Sequence, residues 1–475
     1  MQNNYLKYVF LENFKFKPTE NQDVAIDKLC NFILEKNNEK IFVLLGYAGT
    51  GKTSLMSAFV KTLEILKLRS VLLAPTGRAA KVFSNFSGKR ALTIHKKIYR
   101  QKSASDYGAA FLPAPNLHSD TFFIVDEASM ISNGGAEQAF FGSGRLLDDL
   151  IRYVYSGSNC RLILLGDTAQ LPPVGSPESP ALDVSELECY GLDVEQVVLN
   201  QVVRQAEESG ILYNATKIRH MIENIESSQK TVLPKFDFYG FKDVERITGA
   251  DLLEALEMSY DRAGLLNTLV ITRSNKNANI YNSGIRNRIF WREEQICIGD
   301  VIMVVKNNYF YAKNLENVDF IANGDIAEIT RIGRYETLYG FNFVNVDLRF
   351  ADYDNLEFSA KVILDSILVQ GAALSEADNN RLYQAVCADY VHLGNKRDIY
   401  KAVRENEYFN ALQVKFAYAV TCHKSQGGQW DTVFIDQGYV TDDMLDREYL
   451  RWLYTAFTRA TKKLYLVNFK DDFFE

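Results

Sequence analysis

Gly46-Tyr47-Ala48-Gly49-Thr50-Gly51-Lys52-Thr53 has the spacing GxxxxGK[ST], set between the apolar run IFVLL and a helical pattern. Gly49 and Gly51 would let the backbone turn its N–H groups around phosphate oxygens, and the following helix adds the positive end of its dipole. Lys52 is expected to neutralise the β- and γ-phosphates and Thr53 to hold Mg²⁺. Gly46, Ala48, Thr50 and Ser54 complete the candidate nucleotide cradle. Asp126 and Glu127, 74 and 75 residues after Lys52, end the apolar run TFFIV. That pairing divides labour: Asp126 on the metal, Glu127 as general base for an attacking water. A further apolar run, RLILLG, leads into Asp167-Thr168-Ala169-Gln170-Leu171-Pro172-Pro173. Gln170 is suited to hydrogen-bond a γ-phosphate or its lytic water; the residues alone equally allow a rigid loop.

These groups need a scaffold that brings strand ends together. Short runs rich in Val, Ile, Leu and Phe at 41–45, 70–74, 121–125 and 161–165 form an early group, and 268–272, 415–420, 432–436 and 463–467 a late one, alternating with helical patterns. Such alternation implies parallel sheets with crossover helices, hence two α/β domains whose ligands bind at the carboxyl ends of the strands. Residues 301–410 differ: VIMVVKN, DIAEITRIG and FNFVNVDLRF read as antiparallel strands with a turn at Asn323-Gly324-Asp325.

The chain's 475 residues, 47% hydrophobic and 24% charged, exclude disorder over most of its length. No apolar stretch approaches the ~20 residues of a membrane span, and the start lacks the pattern of a signal peptide. Six scattered cysteines without a CxxC pair, and five histidines outside metal-ligand spacing, lead us to expect free thiols, no structural zinc and a reducing, cytoplasmic setting. The net charge of -7 argues against nucleic acid as a whole, but its distribution is uneven. Residues 65–105 carry ten basic side chains and no acid, and 265–292 are also acid-free.

In order along the chain, GYAGTGKT, APTGRAA, TIHK, DEAS, GDTAQLPPV, VVRQ, VTCHKSQGGQW and YTAFTRA resemble the motif set of superfamily 1B helicases of the RecD, Dda and Pif branch. The resemblance runs from Gln22 to about Ala460. It implies a P-loop NTPase fold of two RecA-like parallel-sheet domains with a small hairpin insertion in the first and an SH3-like β insertion in the second. The implied boundaries are 1–97 with 120–205 for the first domain, 98–119 for the hairpin, 206–300 with 411–475 for the second domain, and 301–410 for the SH3-like insertion. It further implies that Gln22 contacts adenine, that Arg204 and Arg459 reach the γ-phosphate, and that Gly428 contacts the nucleotide by its backbone. An arginine finger in other NTPases contributes roughly 10³ to 10⁵ in rate.

The same resemblance gives the basic window a place. Pro75, Thr76, Arg78, Thr93, His95 and Lys96 match the first domain's DNA contacts; Thr272, Arg273, Asn275, Thr421, His423, Lys424 and Ser425 match the second's. Phosphate-directed groups of these types imply little sequence specificity. Tyr99, Tyr107 and Phe111 are candidates for stacking at the duplex end. The short spacing between the motifs leaves no room for the large insertion of the Rep and UvrD branch, which disfavours 3′-to-5′ movement. The expectation is a monomeric, ATP- and Mg²⁺-dependent helicase moving 5′ to 3′ on single-stranded DNA and opening single-strand/duplex junctions. An RNA-acting remodelling ATPase and a non-unwinding accessory subunit are the alternatives.

Overall fold

The computed structural model describes residues 2–101, 111–134, 142–203, 208–225, 233–315, 318 and 320–475. Its first sheet has six parallel strands in the order Ala91–Thr93, Arg69–Ala74, Thr121–Val125, Arg161–Gly166, Lys40–Gly46 and Asp193–Leu199. Side chains alternate across it. Phe42 and Leu44 enter the core formed with Phe32, Phe59 and Phe122, whereas Ile41, Val43 and Leu45 enter the opposite core with Phe123, Val125 and Leu150. Apolar cover on both faces makes such a strand read as one unbroken run in the sequence.

The second sheet is also parallel, in the order Ala419–Thr421, Thr268–Thr272, Trp430–Asp436, Ala460–Val467 and Val244–Ile247. Between its strands Val301–Val304, Ile326–Leu338, Phe341–Phe350, Leu356–Ile363 and Leu412–Phe416 close into a barrel. Two helices, Glu376–Asp389 and Lys396–Arg404, pad one side of it over a small core that includes Phe341, Phe343, Val386 and Val403. The expected strand 415–420 is in fact two pieces. Leu412–Phe416 belongs to the barrel and Ala419–Thr421 to the sheet, and the Asn282 side chain bonds the backbone at Phe416 and Ala419 across the break.

Three strands escaped the apolar reading for physical reasons. Ala91–Thr93 has only three residues, and Asp193–Leu199 and Val244–Ile247 are edge strands with polar residues facing solvent. Two more short strands, Tyr99–Gln101 and Phe111–Pro113, pair antiparallel. Tyr107 lies outside the described residues. Phe111 stacks on Tyr309 at 4.4 Å between ring centres, and Tyr309 lies 5.3 Å from Phe320, so this strand pair meets the stretch leading from the barrel's first strand. Among the described residues no helix is long and apolar enough to cross a membrane.

Candidate functional site

Along the first sheet, the strand ends at the carboxyl edge read in spatial order Thr93, then Ala74-Pro75-Thr76, then Asp126-Glu127, then Asp167 to Gln170, then the loop after Gly46. One edge therefore carries the basic, hydroxyl-rich residues and the other the phosphate-binding loop, with the acidic residues between them. The fold alone produces this separation.

At the phosphate loop, Gly49 and Gly51 have φ of 75° and 76°, the left-handed region that favours glycine. Lys52, Thr53 and Ser54 form the first turn of the helix Lys52–Ile65. The Lys52 ammonium folds back on the Gly46 carbonyl at 3.2 Å and makes no ion pair among the described residues. Gln22 is buried under the loop. Its amide donates to the Thr50 carbonyl at 2.8 Å and accepts from the Thr19 backbone at 2.9 Å, completing a capping box on the helix Glu20–Leu34. A Cβ at Gly51 would lie 2.6 Å from the Gln22 nitrogen, so the glycine is also required by close approach.

Asp126 accepts the Glu127 backbone N–H at 2.8 Å. Loss of solvent pushes its carboxyl up to about 6, with the Lys52 charge opposing the shift. Glu127 has φ 53°, a conformation uncommon outside glycine and concentrated at functional sites. Among the described residues, buried Glu127 Oε2 and Gln170 Oε1 have no hydrogen-bond partner. Buried polar atoms are nearly always paired, so these two oxygens fit an absent nucleotide, its metal or its water. Behind Gln170 lies a cavity of about 160 Å³ whose walls include Ser129, Asp167, Ser179 and Arg451. It has room for several waters at roughly 30 Å³ each.

Arg459 is 3% exposed and holds all its nitrogens within its own domain: Nε donates to Thr455 O at 3.0 Å, one terminal nitrogen to Gly428 O at 3.1 Å and the other to Thr458 Oγ1 at 3.1 Å. The expected finger is therefore retracted. Gly428 takes part through its backbone, and a Cβ there would strike the Trp430 ring at 2.4 Å. Arg204 lies outside the described residues.

At the basic edge, Thr76 and Thr93 cap the helices Gly77–Ser87 and Ile94–Ile98. Arg78 stacks on Trp430 of the second domain at 4.0 Å and donates to Gln429 O. His95, followed by Lys96, lies against Tyr99 and Phe320, and burial pushes its imidazole down to about 4, leaving it neutral near pH 7. In the second sheet Arg273 faces the rings of Tyr449 and Trp452, Asn275 opens the helix Asn275–Arg288, and Thr421 precedes Cys422–Ser425. Lys424 donates to the Asn323 side chain of the barrel turn, and burial lowers both Lys424 and His423. Two expected contacts are not brought to the surface. Thr272 and Ser425 are fully buried and commit their hydroxyls to Ser274 O and Cys422 O. Two arginines of the second basic window are structural: Arg286 and Arg292 converge on buried Asp300 at 3.0 and 2.8 Å.

The sequence reading assigned no role to Asp167, Tyr454 or Thr455, although all three stand inside quoted motifs. Tyr454 OH donates to Asp167 Oδ2 at 2.7 Å and accepts the Ala48 N–H at 2.9 Å. Thr455 Oγ1 accepts from Leu171 N at 2.9 Å. For Tyr454 and Thr455 the signal is a pair of fully buried hydroxyls on the helix Arg447–Phe457, legible only when the partner domain is in view.

Two family models match the chain: an AAA domain over residues 19–231 and a UvrD-like helicase C-terminal domain over 416–467. An uncharacterised protein of Acanthamoeba polyphaga mimivirus is 23% identical over 93% of this chain and 98% of its own length. The ATP-dependent DNA helicase dda of Enterobacteria phage T4 is 28% identical over 60% of this chain and 60% of its own. A crystal structure of Pif1 helicase from Bacteroides, in complex with ADP-AlF3 and ssDNA, aligns over 97% of this chain and 95% of that one, with 16% identity and a TM-score of 0.47.

Proposed function

We infer that this chain, a member of the superfamily 1B helicases of the RecD, Dda and Pif branch, is an ATP-driven motor that moves 5′ to 3′ along single-stranded DNA and opens duplex ahead of it. The observation that carries this reading is the layout of one sheet edge. Phosphate loop, acidic pair and Gln170 stand at one end and the basic helix caps at the other, with the second domain across both.

ATP fits the cradle made by Gly46 to Ser54, with Lys52 turning from Gly46 O to the phosphates. Magnesium would be held by Thr53 and Asp126 and would neutralise charge on the transferred phosphoryl group. Glu127 would take the proton of the attacking water and Gln170 would orient that water; their orphaned oxygens support both roles. Arg459 would complete the site only after leaving its three partners, which ties hydrolysis to movement of the second domain. We further assign adenine contact to Gln22, a γ-phosphate contact to Arg204, backbone contact to Gly428, and DNA contact to the partly exposed members of the two basic edges, leaving out buried Thr272 and Ser425. We keep the domain boundaries implied by the sequence except that the insertion, read as SH3-like, is extended from 301–410 to 416, since Leu412–Phe416 closes the barrel. The dda relative is a DNA helicase by name, which favours DNA over RNA as the track.

The test is ATP turnover with matched DNA and RNA oligonucleotides, run with the wild-type chain and with Lys52→Ala. DNA-selective stimulation abolished by the substitution is expected. Equal stimulation by RNA would move the chain to an RNA-directed ATPase, and turnover surviving Lys52→Ala would remove the nucleotide-site assignment.

A further inference from the structure

We propose that Tyr454 is a positioning residue through which the second domain senses whether the phosphate loop is occupied, and that Thr455 passes this state to Gln170 and Arg459. The proposal rests on the reading of the chain as a DNA-stimulated ATPase.

Tyr454 and Thr455 lie on the helix Arg447–Phe457, 1% and 0% exposed. The Tyr454 hydroxyl is shared between two elements of the other domain: it accepts from the loop amide of Ala48 and donates to Asp167. Asp167 in turn accepts the Ala169 N–H at 2.9 Å through its other oxygen, shaping the turn that carries Gln170. One residue past Gln170, the Leu171 N–H is held by Thr455 and the Leu171 carbonyl accepts from the Gln426 side chain at 2.7 Å. The Thr455 carbonyl accepts from Arg459 Nε. Hydrogen bonds joined by short stretches of backbone therefore lead from the phosphate loop through Tyr454, Asp167, the Gln170 turn and Thr455 to the retracted arginine.

Backbone amides of a phosphate loop are the donors that bind phosphate oxygens. A nucleotide that takes the Ala48 N–H deprives the Tyr454 hydroxyl of one of its two partners. Buried hydroxyls are costly to leave half-satisfied, so the helix shifts in response. That helix carries Thr455 and leads directly to Arg459. The displacement loosens the turn holding Gln170 and shifts the helix end that carries Arg459 relative to its Gly428 partner. Asp167 adds a charge element: burial raises its carboxyl while Lys52 and the Tyr454 hydroxyl oppose the shift, so moving Lys52 to a phosphate changes the group that Tyr454 faces.

Tyr454→Phe keeps the ring and deletes both bonds. The expected result is a fall of about tenfold in the ratio of DNA-stimulated to DNA-free turnover. KM for ATP and the affinity of the DNA-free protein for a fluorescent ADP analogue should stay close to wild type, while the melting temperature falls, because buried Asp167 and the Ala48 N–H lose a partner. Thr455→Val, which removes only the hydroxyl acceptor of the next link, should lower the same ratio, and Thr455→Ser should restore it; this pair tests the relay should the tyrosine variant fail to fold. An unchanged stimulation ratio in the folded variants, or a rise in KM with kcat retained, would overturn the relay. A wild-type chain that DNA does not stimulate, or turnover that survives Lys52→Ala, would instead overturn the underlying ATPase reading.

Discussion

Arg459 can reach a γ-phosphate only by giving up hydrogen bonds to Thr455, Gly428 and Thr458, all made inside its own domain. Replacing it with Ala should lower kcat by about 10³ and leave nucleotide affinity within about threefold of wild type. The same substitution leaves the buried Gly428 carbonyl without its donor, whereas Thr455 O keeps the Thr458 hydroxyl, so a stability loss of roughly 1–3 kcal/mol should accompany it in thermal melts. An equally large loss of nucleotide affinity would mean that Arg459 binds ground-state ATP and is no finger. Lys52 stands differently, because its ammonium donates to the Gly46 carbonyl within its own loop and holds no partner domain. Lys52→Ala should reduce turnover at least about hundredfold, with single-strand affinity, read by fluorescence anisotropy, nearly unchanged. Lys52 was assigned from the sequence because phosphate-loop chemistry fixes its type and spacing, whereas Arg459 was singled out only through the resemblance carried by YTAFTRA. Tyr454 was not, since its partners Ala48 and Asp167 are 406 and 287 residues away.

At the scale of elements, the phosphate loop and the central strands were readable because burial on both faces writes an unbroken apolar run, and because a strand-loop-helix turn demands glycine at fixed points. The barrel was readable only as alternating strands; its closure depends on pairings such as Val362 with Leu412, which lie far apart in sequence. Its turn at Asn323-Gly324-Asp325 reaches both domains. Asn323 accepts from Lys424, and Asp325 with Tyr353 lies against Gly77, where a Cβ would come within 2.9 Å of the carboxylate. Asp325 Oδ2 accepts from Tyr353 OH at 2.7 Å and from Ala322 N at 2.6 Å, and burial pushes the carboxyl up to about 7. A carboxyl raised on folding binds its proton more tightly in the native state, so stability falls as pH rises from about 4 to about 7. Asp325→Asn, which keeps an acceptor for both donors, should remove this dependence and stabilise the protein at pH 8 by roughly 2–4 kcal/mol. Thermal melts across that range check it; a parallel decline in both proteins would show that Asp325 is charged at no cost.

Across the whole molecule, the second domain meets the first at two places that the sequence could not reveal. Near the nucleotide, Tyr454, Thr455 and Gln426 grip the Ala48 and Gln170 loops, and Arg447 and Arg451 pair with Glu178. Near the basic edge, Arg78 stacks on Trp430, and a Cβ at Gly427 would meet Ala79 at 2.9 Å. Both contacts are made by the same pair of domains, so a movement of the second domain would be felt at both, as the proposed motor requires. The decisive measurement is ATP-driven separation of two duplexes of identical sequence, one with a 5′ single-stranded tail and the other with a 3′ tail. Opening of the 5′-tailed duplex alone is the expected result. Preference for the 3′ tail, or no opening of either duplex while DNA still stimulates hydrolysis, would contradict it.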